Sequence, residues 1–134
     1  MAENTVVKEQ LTEEMIEAGA WLTAKLDEMA VSITAAMWFF MADINEWRLL
    51  FASAGVSTAG RRSVYEKVEK ARQALGEKAV AAPLSAIGLL DANDELVRAL
   101  RIQLHTGSGV SRLRFSKNVA NGHFIEDALI YRIA

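Results

Sequence analysis

The chain of 134 residues contains no cysteine. That removes disulfides, thiolate nucleophiles, zinc ribbons and iron–sulfur clusters in one step, and it fits a reducing compartment. Proline occurs once and glycine eight times, too rarely for a linker-rich or low-complexity chain. Histidine occurs only as His105 and His123, and neither stands at metal-ligand spacing from another donor, so no metal site and no cofactor are expected. Long hydrophobic runs are also missing. The longest, Ala35 to Ala42, stops at Asp43, well short of the roughly 20 residues of a membrane helix. The opening MAENTVVKEQ lacks the basic start and apolar stretch of a secretory leader, so a cytoplasmic location without membrane contact is the expectation.

What is present suits one folded domain spanning residues 1–134, with residues 1–10 flexible: hydrophobic content is 51% and charged content 24%, ordinary values for a soluble core. The net charge of −2 conceals an asymmetry. Residues 1–46 hold nine acids and two bases, whereas residues 47–134 hold eight acids and thirteen bases. The two parts are expected to neutralise each other, within the molecule or across a dimer.

Residues 11–30 place Leu11, Met15, Ala18, Leu22, Leu26 and Met29 at spacings of three and four, with Thr12 as N-cap and acids in the first turns, which predicts an amphipathic helix. From Val31 the period becomes two, and both alternating sets are apolar, which predicts a strand covered on both faces. A polar break at 43–46 and a second run, Trp47 to Ala52, complete a hairpin; one continuous helix over 34–54 is the competing reading. A helix follows over 61–75, stopped by Gly76, then a strand over 84–90. A helix capped by Asn93 ends at Gly107.

The last 22 residues form a second hairpin. Asn121-Gly122 supplies the two positive-φ positions of a type I′ turn and so sets the register, with Ala120 opposite His123. Val119–Phe124, Lys117–Glu126, Phe115–Ala128 and Leu113–Ile130 then share one face, and Asn118–Ile125, Ser116–Asp127, Arg114–Leu129 and Arg112–Tyr131 the other. The final strand is apolar on both sides. The resulting order, α-β-β-α-β-α-β-β, predicts an α+β (mixed α/β) domain with a five-stranded mixed sheet, three helices and two β-α-β crossovers.

Motifs for chemistry are sparse. Residues 55–63 (GVSTAGRRS) have the glycine spacing of a phosphate loop between a strand and a helix, with Asp91 as the supporting acid, yet Arg61 stands where lysine belongs and Ser63 falls one position late. A simple anion site on Arg61, Arg62 and Ser63 at the helix start is the lesser reading. Arg98, Arg101, His105, Arg112, Arg114 and Lys117 form a stretch free of acids that could follow a phosphate backbone, but no aromatics interleave for base stacking, so nucleic acid is a secondary expectation. Asp127, set among Ile125, Leu129 and Tyr131, either pairs with Arg114 or Ser116 or serves as a functional acid with a raised pKa; Glu126 is assigned to Lys117.

Three helices screen a five-stranded sheet incompletely. The leading expectation is therefore a non-enzymatic domain acting by association, as a homodimer or with a protein partner, with a sheet face or edge buried between subunits through Trp38, Phe40, Ile125, Leu129, Tyr131 and Ile133. An anion or nucleic-acid binder and an enzyme centred near Asp127 stand behind it. Trp21, Trp38 and Trp47 are read as core or interface residues.

Overall fold

The computed structural model describes residues 7–134. It contains α1 (Glu13–Glu28), β1 (Ala35–Met41), β2 (Glu46–Ser53), a single turn α2 (Gly55–Thr58), α3 (Arg61–Leu75), β3 (Ile87–Asp91), α4 (Glu95–Gln103), β4 (Leu113–Ala120) and β5 (His123–Ile133), with 3-10 turns at Gly76–Ala79 and Leu84–Ala86. The strands form one five-stranded sheet of order β3-β2-β1-β5-β4. Only β2 and β3 run parallel; the other pairs are antiparallel. The protein is thus the expected α+β fold on a mixed sheet, with one parallel crossover where two were expected. After β3, the chain crosses the sheet through α4 to reach β4 at the far edge, antiparallel to the strand it left.

Local signals explain the helices. Thr12 opens α1 by accepting from the Met15 N–H at 3.2 Å, and Ala18, Leu22 and Leu26 form its buried stripe. Asp94, rather than Asn93, caps α4 by accepting from Leu96 N–H at 2.9 Å, and the helix stops at Gln103, four residues before Gly107. Residues 35–53 are the hairpin β1–β2 and not a helix, because alternation sends Trp38 and Phe40 to one core and Met37 to the other.

Two cores lie on opposite faces of the sheet. On one, α1 and α3 pack against Trp38, Phe40, Trp47, Leu49, Phe51 and Ile87. On the other, α4 brings Val97 and Leu100 onto Met37, Leu50, Phe115, Ala128 and Ile130. The chain's own helices therefore supply the cover that the sequence suggested a second subunit would give.

The terminal hairpin has the expected register from Leu113–Ile130 to Ala120–His123, but not the expected faces. Lys117 adopts φ +47°, and the Lys117–Glu126 position drops out of the ladder with no ion pair between the two. Beyond it the faces exchange. Ile125 and Ala120 join the α4 core, whereas Val119 and Phe124 lie exposed. A second irregularity follows in β5: Ala36 pairs with Arg132 but Met37 with Ile130, leaving Tyr131 as an extra residue. This bulge turns both Tyr131 and Arg132 toward α1 and sends Ile133 to the α4 core. Arg112 and Tyr131 are not ladder partners; the Tyr131 carbonyl accepts from Ser111 N–H at 2.7 Å.

Candidate functional site

The glycine-spaced loop after β2 is not a phosphate cradle. Its central residues coil into α2, where the N–H groups of Ser57 and Thr58 donate to the Ala54 carbonyl and those of Ala59 and Gly60 to the Gly55 carbonyl, so they do not converge on a ligand. The parallel pairing of β2 with β3 does bring Asp91 to this loop, where Ser57 Oγ donates to it. Hydrogen bonds from Ser57 and then from Asn93 N–H, with Arg61 nearby, hold the Asp91 carboxyl below its ordinary range. Arg61 itself turns inward to donate to the Leu89 carbonyl, Arg62 pairs with Glu66 at 3.6 Å, and half-buried Ser63 adds no contact to either arginine. The three residues expected to hold an anion thus point to separate duties.

The basic stretch divides in the same way. Arg112 reaches Glu17 at 2.7 Å and Glu13 at 3.9 Å on α1. Arg114 forks onto Asp127 with two hydrogen bonds of 2.6 Å. Lys117 occupies the irregular position of the edge strand. Arg98 and Arg101 lie on the other side of the sheet, where they line a shallow cleft of about 520 Å³ with Glu95, Ile102, Asn121 and His123. Arg101 Nε donates to the Ala134 carbonyl at 3.0 Å, while Arg98 makes no ion pair with the described residues.

Asp127 lies at the centre of a structural cluster. Lys8 Nζ reaches it at 2.6 Å beside Arg114, and the two cations lie over aromatic rings: Lys8 is 4.8 Å from the Phe40 centroid, and Arg114 is 5.6 Å from that of Trp47. Burial pushes the Asp127 carboxyl up, but the hydrogen bonds from Arg114 and Lys8 outweigh it and hold the carboxyl below its usual value. A general acid needs the opposite displacement. Of the first ten residues, expected to be flexible, residues 1–6 lie outside the described part. The next ones are tied down: Glu9 N–H donates to Asn45, and Trp47 Nε1 donates to the Glu9 carbonyl at 2.8 Å.

The six residues expected at an interface, Trp38, Phe40, Ile125, Leu129, Tyr131 and Ile133, are all buried inside the chain. Trp38 Nε1 donates to the Met15 carbonyl at 2.9 Å and Tyr131 Oη to that of Ile16 at 2.6 Å, so both anchor α1 to the sheet. Burial pushes the Tyr131 phenol far above its ordinary value, and it stays protonated. Each sheet edge has carbonyls taken up by side chains of the same chain. At the β3 edge, Tyr65 Oη and Arg61 donate to the carbonyls of Ile87 and Leu89, and at the β4 edge Gln103 donates to that of Val119.

Sequence reasoning passed over three features. Arg132, only 3% exposed in its side chain, forks onto Asp27 at 2.7 and 2.9 Å and also donates to Ile33 and Gly109 carbonyls; its sequence position inside an apolar strand gave no sign of this. Gly19 lets Tyr131 and Trp38 lie directly against α1. The third is an acidic groove of about 590 Å³ between α1 and the turn at Gly76–Ala79, lined by Glu13, Glu14, Glu17, Trp21, Glu77 and Val80. Trp21 is 40% exposed there and Val80 69%. The i, i+4 spacing of Glu17 and Trp21 was the available signal.

Comparison of the chain with protein-family models, with curated proteins and with solved structures returned no match. Among the described residues, no cluster of three or more His, Asp and Glu is placed to hold a metal, and no helix is long and apolar enough to cross a membrane.

Proposed function

We propose that this chain acts by association with further copies of itself, through patches on its helices rather than through its sheet. The observation that carries this reading is the exposed pair Trp21 and Val80 in an acid-rimmed groove. A large aromatic side chain beside an aliphatic one in a concave surface is the composition of an interface anchor. The rest of the molecule favours the same reading. The ionisable groups singled out for chemistry are engaged in internal contacts: Asp127 with Arg114 and Lys8, Arg112 with Glu17, Asp91 with Ser57. Sedimentation velocity from about 10 µM to about 1 mM is expected to show mass increasing with concentration, the range in which a small interface associates. A monomer throughout would overturn the reading.

The cleft of Arg98, Arg101, Asn121 and His123, whose lining holds two arginines against the one carboxylate of Glu95, favours a second reading, an anion site. Titration with inorganic phosphate at low salt, followed through the His123 ring signals, separates it from the first. A saturable shift on a protein that stays monomeric supports anion binding, and a flat titration removes it.

A further inference from the structure

We propose that copies of this chain associate head to tail, with the outward stripe of α4 of one copy seated in the Trp21 groove of the next. The inference rests on the association reading and gives it a geometry.

The two surfaces match in polarity and oppose in charge. The stripe carries Ile102, 68% exposed, with Arg98 one turn before it and Glu95 a further turn back; Arg101 lines the same cleft while donating to the Ala134 carbonyl, so the patch is basic by one charge. The groove offers Trp21 and Val80 between Glu13, Glu14, Glu17 and Glu77, with Lys78 its one cation. Arg112 occupies Glu17 and reaches Glu13, but Glu14 and Glu77 make no ion pair with the described residues. The groove already holds one cation of its own, Lys78, whose Nζ lies 5.3 Å from the Trp21 ring centroid. An arginine from a neighbouring copy would displace this exposed lysine from the indole, with Glu77 and Glu14 beside it.

These surfaces cannot meet within one molecule. The groove is on the helical layer that covers one face of the sheet, and α4 covers the opposite face. Like against like is unfavourable, because stripe against stripe apposes arginines and groove against groove apposes glutamates. A two-fold axis could pair stripe with groove twice over only if both patches faced the same partner, and here they lie on opposite faces of the sheet, so the contact is heterologous and propagates into a ring or an open chain. A helix of nine residues extends only about 14 Å, so the interface falls below about 1,200 Å² and the assembly is weak.

Trp21→Asp and Ile102→Asp provide the test, read by sedimentation velocity. Each variant alone is expected to associate at least about tenfold more weakly than the parent chain. Mixed in equal amounts, the two variants retain one intact stripe and one intact groove, and they are expected to form a dimer that grows no further. Glu14→Lys and Arg98→Glu, both at exposed positions, repeat the experiment without touching an apolar contact: each weakens association, and the doubly substituted chain regains it. Parent-like association of the single variants, or no dimer on mixing, overturns the head-to-tail geometry while leaving association itself standing. Loss of association on Phe124→Asp with both patches intact would overturn it too, in favour of pairing through the exposed hairpin tip. A parent chain that is monomeric at every concentration removes both readings together.

Discussion

At the scale of single residues, the sequence located the acid that matters but left its role open. Asp127 is nearly buried, and two cations hold it ionised. Its contribution has a definite pH window. A carboxyl whose folded pKa is depressed adds stability that is fully present above the unfolded value, near 3.9, and that disappears as pH falls through the lower folded value. Asp127→Asn is therefore expected to cost about 1–2 kcal/mol at neutral pH, a modest figure because Lys8 and Arg114 are half exposed and rehydrate when released. Urea denaturation of both proteins from pH 7 down to pH 3 checks it: the gap between them should narrow as the pH falls below about 4. A gap independent of pH would assign the loss to packing. Gly19 is the counterexample for legibility, since a glycine inside a helix reads as a defect in sequence, and only the close approach of Tyr131 and Trp38 shows that a methyl group there has no room.

At the scale of elements, legibility followed the physics of each signal. Capping and the 3.6-residue stripe located α1 and α3 because they act within a few residues, and Asn121-Gly122 placed the hairpin in register because a two-residue turn leaves no freedom. The faces of that hairpin were not legible beyond Lys117. A period of two assumes unbroken extended backbone, and one residue at φ +47° cancels the assumption for everything after it. The bulge at Tyr131 does the same at the other end of β5, so that Ile133, which unbroken alternation would place on the side of Tyr131, reaches the α4 core with Ile125. The irregularity at Lys117 has a use: it places a lysine and a kink on an edge strand, where a flat ladder would invite pairing with another chain. Strand propensity and backbone geometry make opposite predictions for Lys117→Val. Propensity favours valine, whereas a β-branched residue at positive φ is strained, and the strain is the larger effect. The substitution is expected to destabilise the protein by about 1–2 kcal/mol, measured by chemical denaturation, and Lys117→Gly to be close to neutral.

At the scale of the whole molecule, the charge asymmetry of the sequence becomes a set of bonds between the ends of the chain. The acidic helix α1 meets the basic C-terminal strands through Glu17–Arg112 and Asp27–Arg132, and Lys8 returns the favour by crossing to Asp127. These contacts differ in how far water and salt reach them. Arg112 and Glu17 are both partly open to solvent, so salt screens their attraction, whereas in the fork onto Asp27 the carboxylate is 40% exposed but the Arg132 guanidinium is sequestered, so screening there is weaker. Raising sodium chloride from about 0.01 M to about 0.5 M is thus expected to lower the melting temperature by only about 2–4 °C, the equivalent of one exposed network of ion pairs. Arg112→Ala should abolish most of that salt response while lowering stability slightly at low salt. A salt response that survived in Arg112→Ala undiminished would assign it to other ion pairs of the molecule and overturn this reading. The same reasoning keeps the head-to-tail contact distinct from the fold: its glutamates and arginines are exposed on separate surfaces, so salt should weaken assembly far more than it loosens the molecule that assembles.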